Sequence, residues 1–385
     1  MAANVRASTQ SRNPARHPVR LQIASAGERP APAYSSILST ARSLRGATVI
    51  AADGVARIDL RNDDGSILLG WRDSLVEAAV ARTPSVSSSR LEAEAAERVG
   101  ELIPCAEAVG FRSSVESALI DALVAAKTVT GRDGAYFCDD ETTVTGDVET
   151  LRAAVDRHLG ELAALVVRPM DASRDFLLAA RRLSERAGVV LVFDETRTAF
   201  RVDLGGAQTL AGVIPDLTVI GASLANGRQI SAVAGRLEPM KAMTATGDRV
   251  SATALAAACA TLERVVRDDV PDVLRVRGAE IEAEIEARLI ACGADAWLQI
   301  AGDPTWSIVA ARARPRTDRA ALEAALCAGL YAEGVISFGA HVPSLATTEA
   351  AISRIVGAYE RVLPRLVARA EAGDFATASR RSALA

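Results

Sequence analysis

The chain is almost without lysine. Among its 44 Lys and Arg residues only Lys127 and Lys241 are lysines, and histidine occurs three times, at His17, His158 and His341. A nucleophile–base pair is therefore hard to assemble, and no G-x-S-x-G is present to supply the nucleophile. Cysteine is sparse as well. Cys105, Cys138, Cys259, Cys292 and Cys327 are scattered without a C-x-x-C pair, a distribution that fits reduced thiols in a cytoplasmic protein and not a disulfide frame or a zinc site. No apolar run approaches the ~18 to 20 residues a membrane span needs. A formal net charge of −4 and a pI near 5.7, with no basic cluster interleaved with aromatics, exclude a nucleic-acid surface. No internal repeat is visible.

What is present is core material. Hydrophobic residues make up 49% of the chain, which excludes global disorder. Residues 1–32 are the exception, being rich in Arg, Ser and Pro and poor in large apolar side chains. They lack the apolar region of a secretory signal and predict a disordered tail; their acid-poor, Arg-rich composition also fits a transit peptide. Beyond the tail, periodicity predicts a helix over Tyr34–Leu44 and a hairpin with a type I′ turn at Asp53-Gly54. Strands then alternate with helices: Ala108–Phe111, Gly134–Cys138 and Ala163–Val167 as strands, Val115–Thr130, Val148–His158 and Phe176–Ala187 as helices. That alternation implies right-handed βαβ units and a mainly parallel sheet, an α/β protein. A long helical region over Ser251–Ala291, two further strands and two further helices complete the chain.

The chain is organised around residues 189–236. Val189–Phe193 is a short β-branched apolar run ending in two carboxylates, Asp194 and Glu195. Gly205-Gly206 follows, then Pro215-Asp216, a strand over Leu217–Ile220 closing on Gly221-Ala222, and a run ending at Gly235-Arg236. Ligands in open α/β sheets sit beyond the carboxyl ends of parallel strands, and Asp194 and Ala222 fall at two such ends.

FDETRTAFR, followed by GGAQ, PDL, IGASLANG and AVAGR, resembles the core signature of the class III aminotransferases, in particular the glutamate-1-semialdehyde aminomutases. The likeness covers roughly residues 33–370. It implies a fold-type I pyridoxal-phosphate (PLP) transferase fold, with a mainly parallel large-domain sheet over 76–290. A small α+β domain would be built from 33–75 and 291–385. It further implies a dimer and a PLP site in which Asp194 meets the pyridinium nitrogen and a lysine forms the covalent link to the cofactor. At that lysine position stands Ala222, which has no amine.

Four other family features are altered. The phosphate-binding S-G-T-E-A at a helix N-terminus corresponds to Ser113-Ser114-Val115-Glu116-Ser117. Val115 takes the place of a glycine and Glu116 that of a hydroxyl donor, so Glu116 reads as a helix-stabilising first-turn residue. The aromatic turn that covers the cofactor corresponds to Phe137-Cys138-Asp139-Asp140, without Tyr, Trp or His. The family's Glu-Pro is Arg168-Pro169, a reversal of charge. A Thr-rich loop survives only as Thr246 and Ser251. Lys127 and Lys241 fall away from any strand end.

The vestigial cofactor contacts are then Asp194, Ser113, Ser114 and Thr246. Asp194 has a second reading as the cap of the turn that follows it. The resemblance with its departures implies a degenerate scaffold without transaminase activity and with no cofactor. It would act as a pseudo-subunit, as a homodimer or paired with an active paralogue, in a biosynthetic pathway. An emptied pocket reused for an anionic small molecule through Arg168, Arg197 and Arg201 is the alternative. Residual use of PLP or pyridoxamine phosphate on Asp194 is a third.

Overall fold

The computed structural model describes residues 33–83, 88–138, 147–243, 250–315 and 317–376; the expected tail, Thr246 and most of the 137–143 turn lie outside the described residues. Helix α1 (Tyr34–Thr40) leads into strands β1 (Ser43–Arg45), β2 (Thr48–Ile50) and β3 (Ala56–Asp59). The helix is shorter than its periodicity predicts. Ala41 is extended and the Arg42 N–H donates to the Ile50 carbonyl at 2.8 Å, so the next residues enter the sheet instead. The β2–β3 hairpin forms, but its turn is not type I′. Only Gly54 is left-handed (φ 82°), and its N–H donates to the Ala51 carbonyl at 2.9 Å. Asp53 instead accepts from the Val55 N–H and pairs with Arg57 through both carboxylate oxygens.

Helices α2 (Ser74–Ala81) and α3 (Ser89–Leu102) precede the central sheet. Its strands are β4 (Ala108–Arg112), β5 (Gly134–Phe137), β6 (Leu162–Val167), β7 (Val190–Asp194), β8 (Leu217–Ile220) and β9 (Ser231–Gly235), in the order β4-β9-β8-β7-β6-β5. β5 to β8 pair in parallel, and β9 runs antiparallel between β8 and β4. β6, β8 and β9 are buried at every residue, as continuous apolar strands covered on both faces should be.

The connecting helices are α4 (Val115–Thr130), α5 (Val148–Arg157), α6 (Arg174–Ala187), α7 (Gly206–Ala211) and α8 (Leu237–Lys241). α4 lays Ala118, Ala122, Ala125 and Ala126 against Ala164, Val192 and Val219. Methyl-sized side chains on that face let the helix lie close to the strands. On the other face, Leu151 and Val155 of α5 and Leu177 and Leu183 of α6 cover Leu165, Leu191 and Phe193.

The long helical region is two helices, α9 (Ala252–Arg267) and α10 (Val270–Ala291). Asp269 between them is left-handed (φ 44°), and Pro271 opens α10 where its missing N–H has no intrahelical partner to lose. The chain ends with β10 (Leu298–Asp303), β11 (Trp306–Ala311), α11 (Arg319–Ala332), β12 (Val335–Ile336), β13 (Ala340–His341) and α12 (Glu349–Glu371). β12 joins β3 in parallel, so the two ends of the described chain share a sheet. Ile58 and Leu60 pack with Ile281, Leu326, Ile355 and Tyr359 in one core. All five cysteines are free thiols. Among the described residues no helix is long and apolar enough to cross a membrane, and no cluster could hold a metal ion.

That core contains a buried histidine. His341 Nε2 lies 2.7 Å from the Tyr359 hydroxyl, and burial pushes its pKa from 6.5 down to about 4. An unfolded chain therefore binds this proton at a higher pH than the folded one does. Stability from this group is complete above pH ~6.5 and is lost as pH falls towards about 4, by about 3 kcal/mol at most. Urea midpoints at pH 7 and 4.5 should fall steeply for the wild type and less steeply for His341→Gln. Equal falls would remove His341 as the cause.

Candidate functional site

The carboxyl ends of β6, β7 and β8 bring three of the sequence candidates together. Val167 and Phe193 are register partners in the parallel β6–β7 pair, so the residues that follow them, Arg168 and Asp194, emerge side by side. Arg168 Nε lies 3.6 Å from Asp194 Oδ2, with both side chains partly buried. The other oxygen, Oδ1, accepts from the Thr196 N–H at 3.1 Å and the Thr196 hydroxyl at 2.6 Å. Asp194 thus closes an Asx turn on one oxygen and faces a guanidinium on the other.

Gly221 backs directly onto this turn: a Cβ added there would stand 3.1 Å from the Thr196 carbonyl oxygen. Ala222 is the next residue and opens a single 3₁₀ turn, Ala222–Ala225, that ends on a left-handed Asn226. Asn226 anchors the turn by accepting from the Leu69 N–H at 2.9 Å and donating to the Gly70 carbonyl at 2.9 Å. Arg168, Asp194, Thr196 and Ala222 therefore form one cluster. Thr196 drew no attention in the sequence; its position two residues after an Asp at a strand end is the Asx-turn signal that identifies it.

Ser113 and Ser114 lie beyond β4. The Ser114 side chain caps α4 by accepting from the Ser117 N–H at 3.1 Å. Glu116 lies exposed in the first turn. Its carboxyl is held below the usual range by its own backbone N–H and by Ser114. Lys127 pairs with Asp133 at the far end of α4, and exposed Lys241 closes α8. Neither lysine is at a strand end.

The arginines separate. Arg197 is exposed, with its guanidinium 4.9 Å from the centre of the Trp306 ring. Arg201 is not a ligand residue. It is fully buried, donating to the Gly65 carbonyl at 2.7 Å and to those of Thr305 and Pro343 at 3.2 Å, and burial lowers its pKa to about 9. It ties three loops to the end of β7. Glu195 is equally structural. Buried, with its carboxyl pushed above the usual range by burial, it accepts from the Thr198 hydroxyl, the Ala207 N–H and the Gln208 side chain. A Cβ at Gly206 would come within 2.2 Å of a Glu195 oxygen, so the glycine serves this packing. Trp306, unremarked in the sequence, also lies against Gly65, where an added Cβ would meet the ring at 2.2 Å.

The fold is that of the fold-type I PLP-dependent transferases. The chain belongs to the class-III aminotransferase family, whose sequence profile matches residues 125–363. It is 29% identical over 294 residues to the glutamate-1-semialdehyde 2,1-aminomutase of Chlorobium limicola, covering 62% of this chain and 68% of that protein. It is 27% identical over 287 residues to the 3-aminobutyryl-CoA aminotransferase of Cloacimonas acidaminovorans, with 63% and 69% covered. Among solved structures it resembles the FumI protein of Sphingopyxis sp. MTA144, with a TM-score of 0.79, 24% identity and coverage of 86% of this chain and 89% of that one. A transaminase with PLP bound gives a TM-score of 0.78 at 25% identity, covering 86% and 92%.

At these strand ends Ala222 carries no amine, Asp194 Oδ2 lies 3.6 Å from Arg168 Nε, and Glu116 stands in the first turn of α4. Arg201 and Arg197 yield a direct test of structural against surface roles. Arg201→Met leaves buried carbonyls without a donor and should cost about 3 kcal/mol in urea unfolding. Arg197→Ala should change stability by less than about 1 kcal/mol.

Proposed function

We propose that this class-III family member does not transaminate and works as a PLP-independent subunit or scaffold in a biosynthetic pathway. It would act as a homodimer or paired with a catalytically complete relative. The observation that carries the reading is the Asp194 carboxylate, one oxygen of which accepts from Thr196 while the other lies 3.6 Å from Arg168 Nε. A cation belonging to the protein stands against the carboxylate that, by resemblance, should meet a protonated ring nitrogen. Two like charges cannot share that oxygen without strong mutual destabilisation. Ala222 removes the covalent link independently. An anion-binding reuse of the same pocket is less well supported, because Arg201 is buried in carbonyl contacts and Arg168 faces Asp194. Arg197 is the remaining candidate from that reading.

The purified protein should emerge from gel filtration after incubation with PLP without a cofactor absorption band, and borohydride should add no cofactor mass. A retained band would overturn the PLP-independent reading. Light scattering should report a dimer, and tagged protein should co-purify either itself or an active relative. A monomer without partners would overturn the subunit role.

A further inference from the structure

A groove on the small sheet is lined by Ala41, Arg42, Ser43, Leu44, Arg45 and Arg72. We propose that it binds a small phosphorylated anion carrying two or more negative charges, gripped by Arg42, Arg45 and Arg72.

The backbone brings these cations together. Gly46 and Trp71 form an antiparallel bridge, exchanging N–H···O bonds of 2.8 Å in both directions. The residues flanking that bridge, Arg45 and Arg72, are consequently neighbours on opposing strands. Like charges so placed repel and destabilise a sheet. Arg72 also adopts a left-handed backbone (φ 52°), uncommon for a side chain with a Cβ. The third cation, Arg42, reaches over the hairpin turn, where a Cβ on Gly54 would stand 3.5 Å from its Nη1.

No carboxylate relieves this charge among the described residues. The nearest acids along the chain are engaged elsewhere: Asp53 binds Arg57 through both oxygens, and Asp73 caps α2 while pairing with Arg264 at 2.7 Å. Arg42, Arg45 and Arg72 are all exposed and make no ion pair among the described residues. Elsewhere on the surface, arginines such as Arg61, Arg186, Arg288 and Arg361 are paired with acids. Three guanidinium forks and the Ser43 hydroxyl in one groove match the several acceptor oxygens of a phosphate or pyrophosphate, which guanidinium binds in bidentate fashion. The groove is one short strand and one loop long, and the chain as a whole is acidic, which favours a small anion over a nucleic acid.

The test is titration of the full chain with pyrophosphate by calorimetry at low and raised KCl. One site per chain is expected, weakening as salt rises. The Arg45→Gln/Arg72→Gln double variant should bind at least tenfold more weakly. Pyrophosphate should raise the Tm of the wild type and leave that of the double variant unmoved. Without the anion, Arg45→Gln should melt no lower than the wild type, since it removes a like-charge neighbour. Absence of saturable binding, binding undiminished in the double variant, or tighter binding of an oligonucleotide than of pyrophosphate would each overturn the proposal.

Discussion

A guanidinium and a carboxylate meeting across the ends of two adjacent strands set what the central site can do. Because β6 and β7 are paired in register through Val167 and Phe193, Arg168 and Asp194 meet without any loop having to move. The contact is a consequence of the sheet itself. Thr196 holds the second carboxylate oxygen and packs its backbone against Gly221, so the same small cluster fixes the position of Ala222. Arg168 already stands against Asp194, and Ala222, at the start of the turn after β8, carries no amine.

The residues around this cluster account for a scaffold that stays recognisable. Of the charged positions in FDETRTAFR, Glu195 and Arg201 are buried and committed to the fold. Glu195 holds the start of α7, and Arg201 joins the loops at Gly65, Thr305 and Pro343. Asn226 does the same for the turn after β8. Losing any of these would leave buried polar groups unpaired, at a cost of about 1–3 kcal/mol each. A family signature made largely of structural residues can therefore remain legible where strand-end residues such as Ala222 differ.

Most of the fold was readable from the sequence, because alternating apolar runs and amphipathic stretches reflect burial that the structure reproduces. Two places were not. The end of α1 depends on pairing between Arg42 and Ile50, a tertiary contact that propensity does not contain. At the Gly54 turn, Asp53 is taken by Arg57, a contact the turn signal does not carry. At the site, Asp194, Arg168 and Ala222 were legible as strand-end residues, but their mutual arrangement needed the register. Arg201 was grouped with Arg168 and Arg197 because charge alone cannot distinguish a buried guanidinium from a pocket one. The roles of Thr196 and Trp306 depend on contacts across loops, and sequence spacing carries little trace of them.

The most direct measurement compares PLP retention by Ala222→Lys with that by Ala222→Lys/Arg168→Glu, reading the visible band after gel filtration and the mass added by borohydride. If Arg168 blocks Asp194, restoring the amine alone should leave retention poor, and removing the guanidinium as well should raise it clearly. Equal retention by the two variants would contradict the account, because Arg168 would then not be what keeps the carboxylate from a cofactor.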